Sequence, residues 1–274
     1  MTTGGLFIMS LGKITAFAFL LLTLAMTATP ADAQESGLEG SIMLGGGMVS
    51  EYEGSKDYSF VPMFMGKLEY DRYYLELRGL EVRANVSGRE GIEFGPTLSL
   101  HGGRDSDVDN KYVSEMRKID DATEAGVFAK ISTKDLFRDR DELSLEAVYS
   151  ADTGDTHEGY TVSLESAYEF FPVEKVMLGV SLSATYADEN YNQTYFGVDA
   201  DNAARSGLEE YSAGGGLKNV GIGFKAGYSF NRNWGVIGIA KYERLLGDAA
   251  DSPIIDKDGS EGQFMTGAGV MYRF

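Results

Sequence analysis

The sequence predicts an all-β fold: an antiparallel transmembrane β-barrel of about twelve strands, with short periplasmic turns and longer, capped extracellular loops. Three observations predict it. From Leu38 onward, apolar residues recur at every second position in run after run, the period of a strand with one greasy face. The connections between the runs alternate between short and long, as they do in outer-membrane barrels. The last run, Gly262 to Phe274, continues to an aromatic final residue. At the edge of a water-soluble sheet such a strand invites edge-to-edge aggregation. In a closed barrel it pairs on both sides and faces lipid.

Composition narrows the class. The chain has 274 residues, a formal net charge of −18 and a pI near 4.5, which argues against nucleic acid, because phosphate contacts need clustered Lys and Arg. It has no cysteine, so thiolate metal sites, a Cys nucleophile and a disulfide framework are excluded. The 35 glycines, 16 tyrosines and 15 phenylalanines set against 5 prolines fit many strands joined by tight turns. No apolar stretch reaches the roughly 20 residues of a membrane-spanning helix. The greasiest run, Ile14 to Met26, follows Lys13 and precedes Ala31-Asp32-Ala33. A positive start, a short apolar core and a small-residue site make a secretory signal peptide over residues 1–33, cut after Ala33; Met9 offers an alternative start. The expected mature domain is 34–274, exported through the periplasm. With no Cys after the apolar core, a lipoprotein is excluded.

The strands follow in order. Glu39 to Val49 is glycine-rich, with Ile42, Leu44 and Met48 on one face. Tyr58 to Leu68 comes after the loop EYEGSKD. Tyr73, Leu75 and Leu77 alternate with Tyr74, Glu76 and Arg78; Leu80, Val82, Ala84 and Val86 then alternate with Glu81, Arg83 and Asn85. The phase slips by one at Gly79, which means a bulge in one strand or a very tight hairpin. Ile92 to His101, Ala125 to Ile131, Leu143 to Ser150, Tyr160 to Phe170, Val176 to Tyr186 and Val220 to Phe230 are cleaner. Trp234 to Tyr242 is less regular, because Ile237 and Ile239 share a face with Lys241. Gly262 to Phe274 closes the set, with Phe264, Val270, Tyr272 and Phe274 facing lipid and Gln263, Gly267, Gly269 and Arg273 facing the lumen.

Loop lengths decide the count. Short turns fall at 69–72, 87–90, 135–141, 171–174 and 231–233, and long connections at 50–57, 103–121, 151–159, 187–213 and 245–262. Splitting at Gly79 gives twelve strands and places every long loop at one end, whereas an unsplit strand puts loop 103–121 at the wrong end. Aromatic residues agree, since membrane barrels carry girdles at both interfaces. Phe170, Phe230, Trp234, Tyr272 and Phe274 gather at the turn end, and Tyr149, Tyr160, Tyr186, Tyr242 and Phe264 at the loop end.

No zincin, P-loop, nucleophile-elbow or dinucleotide-binding spacing occurs. The two histidines are His101 and His157. Ser99 and His101 share the lumen face of one strand, about 6–7 Å apart, too far for direct proton transfer; His101 reads as an ordinary lumen polar residue. No catalytic, cofactor or metal residue is assigned. Loops 187–213 and 245–262 are acidic and read as a solvated surface facing lipopolysaccharide through shared divalent ions rather than as an EF-hand-like site. Their apolar residues Tyr195, Phe196, Leu208, Leu245, Leu246, Pro253 and Ile254 either cap the mouth or form a binding patch; a cap is favoured, with a helical turn over 202–206. The lumen face carries both signs, from Glu76 and Arg78 to Lys225 and Lys241. Such charges either pair into a plugging network or line a small pore.

Several motifs resemble the MipA/OmpV family of outer-membrane proteins. These are Tyr52-Glu53-Gly54-Ser55, Asp120-Asp121-Ala122, Gln193-Thr194-Tyr195-Phe196-Gly197-Val198, Ala203-Ala204-Arg205-Ser206-Gly207-Leu208, Gly216-Leu217-Lys218 and Arg244-Leu245-Leu246-Gly247-Asp248-Ala249-Ala250-Asp251-Ser252-Pro253-Ile254. Tyr272 with the terminal Phe274 also resembles the closing signal read by the barrel-assembly machinery. The resemblance covers essentially the whole expected mature chain. It implies an outer-membrane barrel without enzymatic activity. In one branch it implies a scaffold joining a lytic murein transglycosylase to a penicillin-binding protein in peptidoglycan maintenance. Other branches are linked to adhesion and to osmotic or antibiotic responses, and a narrow channel for small solutes is the alternative. The family-motif loop residues are Tyr195, Phe196, Gly197, Arg205, Gly207, Leu245, Gly247, Asp248, Asp251 and Pro253.

Overall fold

The computed structural model describes residues 37–274; the expected signal peptide over 1–33 lies outside them. Among the described residues twelve strands form: β1 (Leu38–Ser50), β2 (Tyr58–Tyr70), β3 (Tyr73–Arg78), β4 (Glu81–Asn85), β5 (Ile92–His101), β6 (Ala122–Lys134), β7 (Glu142–Asp152), β8 (Tyr160–Val173), β9 (Val176–Ala187), β10 (Gly216–Ser229), β11 (Trp234–Leu245) and β12 (Gly262–Arg273). Each pairs antiparallel with its neighbours, and β1 pairs with β12 to close the barrel. Closure leaves no edge strand, so backbone groups are satisfied within the wall.

The expected closing strand takes its place between β11 and β1. Val270 lies opposite Val236 on β11 and Leu44 on β1. Phe274 follows the last strand residue, and its amide donates to the Gly40 carbonyl oxygen at 3.0 Å. A Cβ at Gly40 would meet the Phe274 ring, so this glycine makes room for the terminal aromatic. The phase slip at Gly79 is a tight hairpin. Arg78 faces Glu81 across a two-residue turn in which Gly79 adopts φ +62°, a conformation glycine reaches without steric cost.

The predicted faces hold. Leu98, Val127, Leu182, Phe224 and Val270 are exposed on the outer wall, while Met43, Arg83, Thr97, Phe128 and Ile237 are buried inward. Both aromatic girdles form. Tyr160 packs between Tyr149 (5.6 Å between ring centres) and Tyr186 (6.2 Å), and Tyr242 lies against Phe264. At the turn end Trp234 meets Tyr272, which stacks on Phe274. The long connections all emerge at the other end. There the chain forms a 3₁₀ turn (Val113–Glu115) and four short helices: α1 (Glu189–Phe196), α2 (Ala200–Ser206), α3 (Gly247–Ala250) and α4 (Pro253–Asp258). The main buried apolar cluster sits among these loops, over the mouth of the barrel.

Candidate functional site

Local sequence builds the mouth. The Asp188 carboxylate accepts the Tyr191 amide at 3.0 Å and starts α1. Asp199 does the same for α2 through the Asn202 amide. Ser252 caps α4, and Pro253 opens its first turn, where a missing N–H costs nothing. Gly207 ends α2 in the left-handed region at φ +74°, the usual helix-stop geometry. These caps hold short helices that would not form alone.

Between expected cap and binding patch, the structure chooses the cap. Tyr195 and Phe196 are buried with Val198, Leu208, Ala249, Ile254 and Ile255, and with Tyr52, Val113 and Met116 from two other loops. Ser252 Oγ donates to the Phe196 carbonyl at 2.6 Å and ties α4 to α1. Gly197 has no room for a Cβ beside the Gln193 side chain. The other motif residues do different work. Arg205 pairs on the surface with Asp201, one helical turn earlier. Gly247 opens α3 at φ +52°. Asp248 Oδ2 accepts the Gly214 amide at 2.6 Å, and its carbonyl accepts the Tyr211 hydroxyl. Asp251 is exposed at the end of α3. Leu245, expected in a loop, is instead the last residue of β11 and is buried in the cap. Lys218 of the Gly216-Leu217-Lys218 motif likewise lies in β10, beside a bulge.

Beneath the cap lies a polar cluster that joins residues far apart in sequence. The Lys218 ammonium donates to Glu53 and, at 3.1 Å, to the Tyr191 hydroxyl. The Tyr191 hydroxyl in turn donates to Glu53 Oε2 at 2.9 Å. His101 Nε2 lies 3.2 Å from the same hydroxyl, whose one proton already points at Glu53. His157 accepts the Gly159 amide on Nδ1, so its Nε2 carries the proton toward Glu124 at 3.2 Å. Both histidines pack against both Tyr191 and Tyr195. Burial pushes the Glu53 carboxyl up, but the Lys218 ammonium and the surrounding donors more than offset this and hold it below its ordinary range. Burial and the Glu53 charge push the Tyr191 phenol well above its usual value, so it remains a hydrogen-bond donor.

Ser99 and His101 do not act on each other. The Ser99 hydroxyl donates to Glu124 at 3.1 Å, while His101 turns to Tyr191. Instead of the single lumen polar residue expected at His101, a network of Glu53, His101, Glu124, His157, Tyr191 and Lys218 appears. The sequence carried one signal for it: Glu53 and Lys218 are charges embedded in otherwise apolar or glycine-rich motifs.

Most of the lumen charges below lie in ion pairs along the wall. Arg83 is buried between Glu81 and Glu146 and lies over the Phe128 ring at 4.6 Å. Arg78 bridges Glu76 and Glu146. Lys130 bonds Glu142 at 2.8 Å, Lys225 pairs with Glu169, and Lys241 with Glu243.

Comparison with known proteins adds the family. The family described as MltA-interacting protein MipA matches residues 42–274. The MltA-interacting protein of Escherichia coli (strain K12) is 32% identical over 93 residues, 34% of this chain and 36% of that protein. Outer membrane protein OmpV of Vibrio cholerae is 38% identical over 90 residues, 33% of each chain. Putative outer membrane protein YiaT of Escherichia coli (strain K12) is 29% identical over 131 residues, 48% of this chain and 51% of that protein. The alignments thus span about a third to a half of the length of these curated relatives. Among solved structures, the COG4313 outer membrane channel from Pseudomonas putida F1 has a TM-score of 0.47 at 11% identity, covering 90% of this chain and 97% of that one. The NanC porin has a TM-score of 0.41 at 9% identity, covering 85% of this chain and 98% of that one. With a family match across nearly all the described residues and a closed twelve-strand wall, the chain belongs to the MltA-interacting protein MipA family and is a β-barrel of the outer membrane.

Proposed function

We propose that the barrel is a non-enzymatic scaffold of the cell envelope that engages a periplasmic partner in peptidoglycan maintenance. The observation that carries this reading is the packed cap of loops. Loop residues Tyr191, Tyr195 and Phe196 pack into one core with Tyr52 and Ile254, and most of the lumen charges below are paired. A barrel capped in this way suits holding a partner more than passing solute. The name of the Escherichia coli relative, MltA-interacting protein, directs the choice of partner to a lytic murein transglycosylase, and from there to a penicillin-binding protein. Export through a signal peptide over 1–33, assembly through the closing strand and lipopolysaccharide around the acidic loops complete the reading. The test is a pull-down with the purified barrel immobilised in detergent against periplasmic extract. Recovery of a murein transglycosylase supports the scaffold, and a blank at matched barrel loading overturns it.

A second reading, a narrow solute channel, has one observation in its favour: charges of both signs ring the lumen. Conductance in planar bilayers separates the two, because a sealed scaffold gives no discrete single-channel steps.

A further inference from the structure

A polar cleft of about 580 Å³ opens among the outer loops, bounded by the β5–β6, β7–β8 and β9–β10 connections. Its lining includes Arg104, Arg117, Lys118, Asp121, Asp155 and Thr194. The three cations differ in how they are satisfied. Arg117 pairs with Asp199 and Asp201, and Lys118 with Asp120. Arg104 is 5% exposed, and no carboxylate among the described residues pairs with it. Its Nη1 donates to the Tyr195 carbonyl at the end of α1 at 3.1 Å, and its guanidinium lies 5.6 Å from the Tyr52 ring centre. Its Nε is buried without any acceptor. Burial lowers its pKa to about 10, so it stays charged at neutral pH.

A buried cation is ordinarily paired, because taking a charge out of water costs several kcal/mol unless an opposite charge or full hydrogen bonding offsets it. The helix end at Tyr195 supplies part of that offset. Arg104 still keeps unused hydrogen-bonding capacity beside a cleft of ligand size. At the same cleft Asp155, in the left-handed region at φ +59°, forms no ion pair among the described residues, and Asp121 bonds only the Gly103 amide among nearby donors. A deep cation with carboxylates around it disfavours a free dianion and disfavours a metal ion. It matches a molecule that carries both signs.

We propose that this outer cleft binds a small zwitterion of the amino-acid or short-peptide class, its carboxylate on the Arg104 guanidinium and its ammonium at Asp121 and Asp155. Guanidinium is suited to this role, since its planar donors match a carboxylate's two oxygens. The site lies on the extracellular side and is independent of a periplasmic partner.

The experiment is a calorimetric or ligand-observed NMR titration of the full barrel in detergent. The probes are L-alanyl-L-alanine, acetate as the anionic half alone and ethanolamine as the cationic half alone. The expected result is saturable binding of the dipeptide, with acetate and ethanolamine each at least 10-fold weaker. Arg104→Gln should weaken the dipeptide by 10-fold or more. Asp155→Asn should weaken it several-fold without disturbing the fold, since Asn accepts the same left-handed backbone. Heat-modifiability on gels confirms that each variant is folded; if Arg104→Gln does not assemble, Asp155→Asn decides. No saturable dipeptide binding, acetate binding as tight as the dipeptide, or unchanged affinity in Asp155→Asn would each overturn the proposal.

Discussion

Removing the Glu53 carboxylate should loosen the mouth, and the size of the effect follows from what it leaves behind. Lys218 is buried at 5% exposure, and its acceptors are Glu53 and the Tyr191 hydroxyl. In Glu53→Gln the ammonium keeps one neutral acceptor and whatever the amide oxygen offers. Breaking a buried pair by deleting one partner costs about 3–5 kcal/mol. The Glu53 side chain retains 26% of its surface, so solvent relieves part of the loss and about 2–3 kcal/mol is the expected cost. That is a roughly 30- to 150-fold rise in the open fraction of the cap, at about 1.4 kcal/mol per tenfold. Hydrogen exchange reads this fraction directly at the α1 amides of Asn192 and Gly197, which bond to the carbonyls of Asp188 and Gln193. The double variant Glu53→Gln/Lys218→Met should exchange more slowly than Glu53→Gln alone, because it removes the stranded charge as well. Acid supplies a second arm. The folded Glu53 carboxyl lies below its ordinary value, so the pair contributes fully above the unfolded carboxyl pKa of about 4.3 and is lost as pH falls through the lower folded value. Exchange corrected for its intrinsic rate should therefore rise in wild type only in strong acid, and this rise should be absent from Glu53→Gln. Equal protection in wild type and Glu53→Gln at neutral pH, or a double variant looser than the single one, would refute the assignment of this pair as the fastening of the cap.

Three other outcomes are expected. Asp at Val270, which is 48% exposed on the lipid face, or loss of Phe274 with its bond to Gly40, should prevent assembly; normal surface levels of a heat-modifiable barrel in either variant would count against the closing-strand reading. In the β1–β12 seam, Gly45→Ala should be far worse than Gly267→Ala. A Cβ at Gly45 lands on the Ala268 backbone, 2.6 Å from the Gly269 Cα, whereas at Gly267 it first meets the flexible Met63 side chain; melting temperatures of the refolded barrels give the order. Wild-type protein in planar bilayers should show no discrete conductance steps, and replacing 188–215 with a short glycine-serine linker should produce them. Steps of equal size in both proteins would mean that the cap does not seal the mouth.

The wall was legible and the cap only partly so, and the reason is range. A strand's alternation is written in adjacent residues, so Phe264, Val270 and Tyr272 announce their face without help from the rest of the chain. The slip at Gly79 is just as local, but choosing hairpin over bulge needed the loop count, because the choice depends on which strand β4 pairs with next. The cluster at the mouth has no local signature. Glu53 meets Tyr191 across 138 residues and Lys218 across 165, and nothing near His101 or His157 in sequence says that both will face the same two tyrosines. What the sequence did hold was a conflict: a carboxylate in Tyr52-Glu53-Gly54-Ser55 and a lysine at the end of Gly216-Leu217-Lys218, each within a short motif of otherwise uncharged residues. An apolar loop that buries itself cannot leave an isolated charge inside. A buried carboxylate from one segment and a buried lysine from another therefore satisfy each other where they meet. By the same reasoning Arg104, drawn into the cap between Tyr52 and Tyr195, is a buried cation that no carboxylate among the described residues pairs with, and the proposed zwitterion would supply one.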